Sequence, residues 1–427
     1  VKAAKQARKE SGGEIGLVSS KPIDWPVSCT VGPGLEGAIA CESKIGYVNG
    51  TMGALIYRGY DIFDLCAYST YEEVSYLLLH GSLPTATQLK SFKASLLEYR
   101  WIPETLRYML NFPINNMSPM SSLRVGTNFL RNEFTYADGK YPIDHSTDPI
   151  SADEDSIGME TKPIGEKHAI YEFKQKKRKF KKDDPISVTG PRSCYSLISG
   201  VAAIASAIKC MREGHFPIES RDDLSHAANI LYTMTGKVPS PEEERIMDIS
   251  LILHADHGMN ASTFASMVVA STLSDIYFSI GSGIAALNGP LHGGANEQVI
   301  YMLDGIGGKE NVKAWCRKAL REKKKIMGFG HRVYKAYDPR ARVLRPLAKY
   351  LAKRNKEAGE LFRVANALET EVVNSLGAAK KIFPNVDFYS GILYKSLGIS
   401  PSMFTPIFAV SRVAGWTARV IEYLQNN

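Results

Sequence analysis

Three of the chain's nine histidines, His254, His257 and His292, fall within one low-charge stretch rich in small residues, from His254 to Glu297. A ring nitrogen in such surroundings needs a partner or a task, and imidazole is the side chain that titrates near neutral pH. Gly289-Pro-Leu-His292-Gly-Gly294 sets a histidine in a bend followed by glycines, where backbone can approach a ligand and the ring can face a cleft; a structural turn histidine is the plain reading. Gly328-Phe-Gly330-His331 lacks the third glycine, the preceding strand and the P-loop lysine of a nucleotide motif. Seven residues on, Asp338-Pro339-Arg340 has the form of a helix start, with an arginine beside the helix N-terminus where it could clamp a carboxylate. Pro384-Asn-Val-Asp387 puts an aspartate at the start of another helix, an environment that favours an ionised base. Arg412 sits in the apolar helix expected over Pro406–Leu424, and an arginine there needs an anion. His254 and His257 could share a metal at i and i+3. The glutamate of HExxH and any cysteine cluster are missing, so no metal site is expected. Two cleft histidines, one carboxylate and a set of cations suit carbon–carbon bond formation by enolisation beside an anionic acceptor.

These residues must be carried by helices. Ser240-Pro-Glu-Glu243 is a capping box with proline in the first turn, so a helix starts there and turns Ile246, Ile249 and Leu253 inward on the way to His254. Asn260 can cap the next helix. His257 then falls in the break, where the new helix's N–H groups favour a carboxylate. Ser196–Arg212 and Leu224–Thr235 read as helices, as does Ile62–Asn111 with a break at Pro84; Tyr71, Val74, Leu77 and Leu78 form one apolar stripe. Further breaks are expected at Gly289-Pro290, Gly305–Gly308, Gly328–Gly330, Pro384 and Pro401. Strand signals are confined to Ile45–Val48 and Leu55–Tyr57, around an Asn49-Gly50 that reads as a type I′ hairpin turn. The fold class expected is mainly α with one small N-terminal β-hairpin. Residues 1–34 read as a polar surface arm, and residues 132–191, rich in Pro, Asp, Lys and Ser, as a long loop insertion.

The chain has 427 residues, 44% of them hydrophobic, and a formal charge of +8. Seven basic residues lie in the run Lys174–Lys182, and without that run the charge is close to zero. The basicity is therefore one solvated loop, and neither nucleic acid nor membrane insertion is expected. The apolar stretches at Val201–Ile208 and Ile276–Leu287 fall short of the roughly 20-residue run that spans a bilayer. Six scattered cysteines suggest free thiols in a reducing compartment. The first residue is Val1, so removal of an upstream targeting segment stays open.

Five segments, HADHGMNASTF, GPLHGGANE, IMGFGHRVYKAYDPRA, PNVDFYSG and FTPIFAVSRVAGW, follow one another in an order and spacing that resembles the citrate synthase family in its bacterial-type form. LEGAIACESKIGYVNG, LIYRGYDIFDL and YLLLHGSLP resemble that family's N-terminal half. The resemblance covers about four fifths of the chain. It implies a multi-helical fold with a large domain (residues 1–292) and a small domain (293–395) around a cleft, with 396–427 returning to the large domain. It implies condensation of acetyl-CoA with oxaloacetate and water to citrate and CoA, the reaction of a citrate (Si)-synthase. A 2-methylcitrate synthase using propionyl-CoA would share the same groups, and a non-catalytic scaffold relative is the alternative from another class.

By that resemblance, Asp387 is the base, His292 hydrogen-bonds the thioester oxygen and His331 polarises the oxaloacetate carbonyl. His257, Arg340 and Arg412 bind carboxylates. Main chain of Ile326, Met327, Gly328, Phe329 and Gly330 contacts the adenine end of CoA, while Lys335, Lys380 and Lys381 face its phosphates. The CoA thioester is a co-substrate, and no permanently bound cofactor is implied. Family members are homodimers or hexamers built from dimers, and the small-residue helix expected over Ala261–Leu287 suits close packing. The cytoplasm is the expected compartment, with the mitochondrial matrix the alternative if a transit peptide is removed. Two departures stand out besides the insertion: Ser118 precedes Pro119 where the family commonly has His, and the sequence stops at Asn427, where the family continues into an arm carrying an arginine for the neighbouring subunit's site.

Overall fold

A computed structural model describes residues 1–12, 41–135, 190–290 and 292–426 of the chain. The basic run 174–182, most of the segment read as an insertion, and residues 13–40 lie outside the described residues.

The architecture is helical, as composition and periodicity require. Its centre is the helix Phe404–Asn426, whose residues Phe404 to Ile421 are buried on every face. Such an all-round apolar helix can only be a core element. Around it pack Tyr71–His80, Pro191–Arg212, Pro241–His254, Ala261–Ala270 and Ile276–Leu287. The helix Pro191–Arg212 is long and apolar enough to cross a membrane, but it is wrapped within this core. A second group, Ala295–Ile306, Val312–Arg321, Pro339–Ala352, Lys356–Val372 and Val386–Ser396, packs mainly on itself. The described residues place the cavity considered below between these two groups.

Local signals account for most helix starts. Ser240 and Glu243 form the expected capping box, Asn260 caps Ala261–Ala270, and Asp338 caps Pro339–Ala352 with proline in its first turn. Tyr71, Val74, Leu77 and Leu78 are all fully buried.

Four expectations need correction. The hairpin pairs Gly46–Asn49 with Ala54–Tyr57, with Asn49 opposite Ala54, so four residues rather than the Asn-Gly pair make the turn. The Asn49 side chain accepts from the N–H groups of Thr51 and Met52, closing a wider loop. A third strand, Tyr60–Asp61, joins the sheet. At the N-terminus, Lys2–Glu10 is a helix that packs Ala4 and Ala7 on Ile62–Tyr68 and Pro339–Ala352, with Arg8 reaching Asp61 and Asp64. The stretch Ala261–Leu287 is two helices, because Leu273 takes a left-handed conformation (φ 62°) and Asp275 caps a new start.

Candidate active site

Six side chains from distant parts of the chain, His257, His292, His331, Arg340, Asp387 and Arg412, line one cavity of about 510 Å³. Each arrives for a local reason. His257 lies just beyond the helix ending at His254, in the break the two caps impose. His292 follows Pro290 in the turn after Ile276–Leu287. Asp387 stands in the first turn of Val386–Ser396, whose cap is Asn385. The Asn385 amide also donates to the Gly330 carbonyl at 2.9 Å, and Asn385 N–H donates to the Gly328 carbonyl, so the loop bearing His331 and the helix bearing Asp387 are stitched together. Gly328 adopts φ 78°, and an added methyl there would lie 2.8 Å from both Phe388 and Val299, so only glycine fits this bend.

The three histidines are held neutral. Burial is the main cause in each, and neighbouring arginines add to it: His292 is pushed down to about 4, His331 to about 4, and His257 well below its ordinary value. Hydrogen bonds then select which nitrogen carries the proton. His331 Nδ1 accepts from the N–H groups of Val333 (3.0 Å) and Tyr334 (3.1 Å), so its hydrogen sits on Nε2. His292 Nε2 accepts from Ser262 N–H (3.3 Å) and lies 2.8 Å from the Ser262 hydroxyl, which leaves its hydrogen on Nδ1. The two rings present opposite nitrogens as donors.

Burial pushes Asp387 up to about 6, while Arg340 and Arg412 hold it down. It is a carboxylate at neutral pH, yet basic enough to take a proton. Arg340 is buried against Asp338 in a two-pronged pair (3.0 and 2.8 Å), and Asp338 also accepts from Val386 N–H. Arg412 is 1% exposed. Its Nε donates to the His254 carbonyl at 2.6 Å, its guanidinium lies over Phe408, and its buried Nη2 has no hydrogen-bond partner. Burial lowers it to about 10, so it remains charged at neutral pH. A buried cation with an unpartnered N–H, in the lining of a cavity that Arg340 also lines, has the chemistry to receive an anion.

Met327, Gly328, Phe329 and Gly330 line the same cavity, and Ile326 is buried beside them. Lys335 and Lys381 line a second, more open cavity of about 610 Å³ with Arg342 and Arg345, and Lys380 is exposed and lines neither. Among the described residues, no group of three or more His, Cys, Asp or Glu side chains is assembled as a metal would require. The sequence reading missed Ser262 and Tyr334, whose hydroxyl lies 3.2 Å from His257 Nε2. It also missed the buried Asp256–Arg419 pair (2.8 and 2.7 Å), which anchors the His254–His257 segment to the central helix.

The sequence profile of the citrate synthase C-terminal domain matches residues 34–427. The chain belongs to the citrate synthase family. It is 41% identical to the citrate synthase of Deinococcus radiodurans over 398 residues, which is 93% of each protein. It is 33% identical to a 2-methylcitrate synthase from Shewanella oneidensis over 93% of this chain and 92% of that one. Among solved structures, the citrate synthase of the archaeon Thermoplasma acidophilum, in ternary complex with carboxymethyl coenzyme A and oxaloacetate, superposes with a TM-score of 0.76 at 30% identity, covering 94% of each chain. The mainly α fold expected from the sequence is thereby borne out, with the expected hairpin part of a small three-stranded sheet, and so is the reaction. That reaction is Claisen-type condensation of acetyl-CoA with oxaloacetate and water to give citrate and CoA, an acyl transfer in which the acyl group becomes an alkyl group.

Proposed function

We propose that this cavity performs the condensation with Asp387 as base and His292 and His331 as the two neutral donors. Asp387 removes a proton from the acetyl methyl group. As the enol forms, the Nδ1–H of His292 meets the charge developing on the thioester oxygen. The nucleophilic carbon attacks the oxaloacetate carbonyl, and the Nε2–H of His331 polarises that oxygen and protonates it. Water then cleaves citryl-CoA to citrate and CoA. Preformed donors aimed at developing charge in a water-poor site lower such a barrier most, because they need no reorganisation as the charge appears. His257, Arg340 and Arg412 bind the carboxylates of oxaloacetate. The observation that carries the reading is the meeting, in the lining of one cavity, of Arg412, whose buried Nη2 has no hydrogen-bond partner, with a carboxylate of raised basicity.

CoA enters along the main chain of 326–330, its phosphates facing Lys335, Lys380 and Lys381. Residues 293–395 form the lobe that closes over substrate, 1–292 the larger one, and 396–427 return to the latter. The working unit is a homodimer, or a hexamer of dimers, in the cytoplasm, with the mitochondrial matrix the alternative. The test is turnover of the purified protein with oxaloacetate and either acetyl-CoA or propionyl-CoA. Faster turnover with acetyl-CoA is expected. A preference for propionyl-CoA would move the assignment to 2-methylcitrate synthase, a choice worth only about 1–3 kcal/mol in a pocket. No turnover with either would overturn the catalytic reading.

A further inference from the structure

The loop of the N-terminal hairpin lies against the segment that carries His331, although nearly three hundred residues of chain separate them. Gly50 O accepts from Lys335 N–H at 2.9 Å. A methyl placed on Gly50 would stand 2.1 Å from the Val333 carbonyl oxygen, and one on Gly53, at φ 66°, 2.9 Å from the Tyr337 carbonyl oxygen. Backbone meets backbone here, so neither contact relaxes by turning a side chain. Val48, in the strand before the loop, itself lines the cavity. The segment pressed on by this loop supplies both main-chain donors to His331 Nδ1, from Val333 and Tyr334. Tyr334 does a second thing: it is 1% exposed, its ring centre lies 4.8 Å from that of His331, and its hydroxyl reaches His257.

We infer that the hairpin loop Asn49–Gly53 is a positioning element for the site: it fixes the path of Arg332–Lys335, so that Val333 and Tyr334 lock the His331 ring with its hydrogen on Nε2 while Tyr334 steadies His257. Gly50 and Tyr334 are positioning residues; neither lines the cavity. The consequence for catalysis rests on the reading of His331 and His257 given above. The geometric claim about the ring does not. The wide four-residue turn also gains a reason, since a two-residue turn would lack the carbonyl and the flat glycine surface that the His331 segment uses.

The test uses the full chain, with imidazole ¹⁵N spectra of His331, assigned by loss of its signals in His331→Gln, alongside steady-state kinetics and thermal melts. In the unsubstituted protein His331 should show one tautomer, hydrogen on Nε2, between pH 6 and 8. Gly50→Ala should give a mixture of tautomers and a fall in kcat of at least about tenfold. Gly305→Ala, a helix position whose added methyl meets nothing within 4 Å, should change neither. Tyr334→Phe keeps its main-chain N–H. It should leave the His331 tautomer intact and raise KM for oxaloacetate several-fold, with KM for acetyl-CoA unchanged. A single Nε2 tautomer in folded Gly50→Ala overturns the inference. So does a mixture of His331 tautomers in the unsubstituted protein, which decides the matter if Gly50→Ala does not fold; an unchanged oxaloacetate KM in Tyr334→Phe overturns the steadying of His257 by Tyr334. If the tautomer shifts in Gly50→Ala while kcat holds, the hairpin positions the ring but the role given to His331 is wrong.

Discussion

The helix start at Asp338–Arg340 and the interior of the C-terminal helix at Arg412 each deliver a buried arginine to the same cavity, and they hold it in opposite ways. Arg340 shares two hydrogen bonds with Asp338, which also caps its helix and accepts from Val386 N–H. Its charge is balanced within the fold, and the pair ties the His331 segment to the Asp387 helix. Arg412 touches one carbonyl and one aromatic face and makes no salt bridge among the described residues; the main support for its charge is Asp256, which is already paired with Arg419. An unbalanced buried cation costs folding energy, which an anionic ligand returns on binding. One arginine therefore belongs to the architecture, while the other, in the proposed reading, is kept for substrate.

Removing the base tests most strongly whether the cations work on their own. Asp387→Asn should abolish condensation and leave oxaloacetate affinity nearly intact, measured by calorimetric titration; near-normal turnover would take Asp387 out of its role. The fold should also gain stability. The carboxyl's folded pKa of about 6 lies above the ordinary 3.8, so its ionisation costs stability above pH 4 and most fully above pH 6. A neutral amide escapes that cost, and Tm at pH 7.5 should rise. His292→Ala and His331→Ala come next, each losing about 10²–10⁴-fold in kcat. Equal losses from substitution of an uninvolved cavity residue such as Met259 would show that packing alone explains them.

The arginines themselves separate by where the damage falls. Arg412→Leu removes a charge-assisted contact worth about 1.5–3 kcal/mol, or roughly 10–150-fold in KM for oxaloacetate, and should leave Tm unchanged or higher. Arg340→Leu strands Asp338 without its partner and should cost about 3–5 kcal/mol of stability. If urea melts show Arg412→Leu to be the less stable protein, the contrast drawn between the two is wrong.

How much of this could be read from sequence follows from how far each signal reaches. The capping box at Ser240, the cap at Asn260 and the Asp338-Pro339 start act within three residues, so the break that frees His257 and the placement of Arg340 were legible. Arg412 stood out because an apolar helix offers it nothing. The helix Lys2–Glu10 was not legible, since its buried face is only Ala4 and Ala7 and one of its two partners, Pro339–Ala352, lies far along the chain. Asn49-Gly50 misled for a related reason: the turn is shaped by Val333, far along the chain. The Ser262–His292 and Tyr334–His257 contacts join residues 30 and 77 positions apart, and no periodicity records such pairs.

The smallest expected effect is a shift in the acid limb of the pH profile, and it joins the two arginines to the base. In the free enzyme Asp387 should titrate near pH 6, with the site histidines already neutral there, His292 and His331 titrating near 4 and His257 held well below its ordinary value by burial. Below pH 6, kcat/KM for acetyl-CoA should therefore fall tenfold per pH unit along a single limb. Arg340 and Arg412 both favour the ionised carboxylate, and Lys325, which lines the same cavity, does so more weakly. Removing a cation must move the limb upward, because the charged form loses support. Arg412→Leu should shift it more than Lys325→Met, following their order of influence. Bound oxaloacetate, by cancelling the same cations, should place the limb in kcat above that in kcat/KM. A limb that stays put in both variants would mean that Asp387 does not feel the arginines, and that binding of the keto acid and basicity of the catalytic carboxylate are separate properties of this cavity.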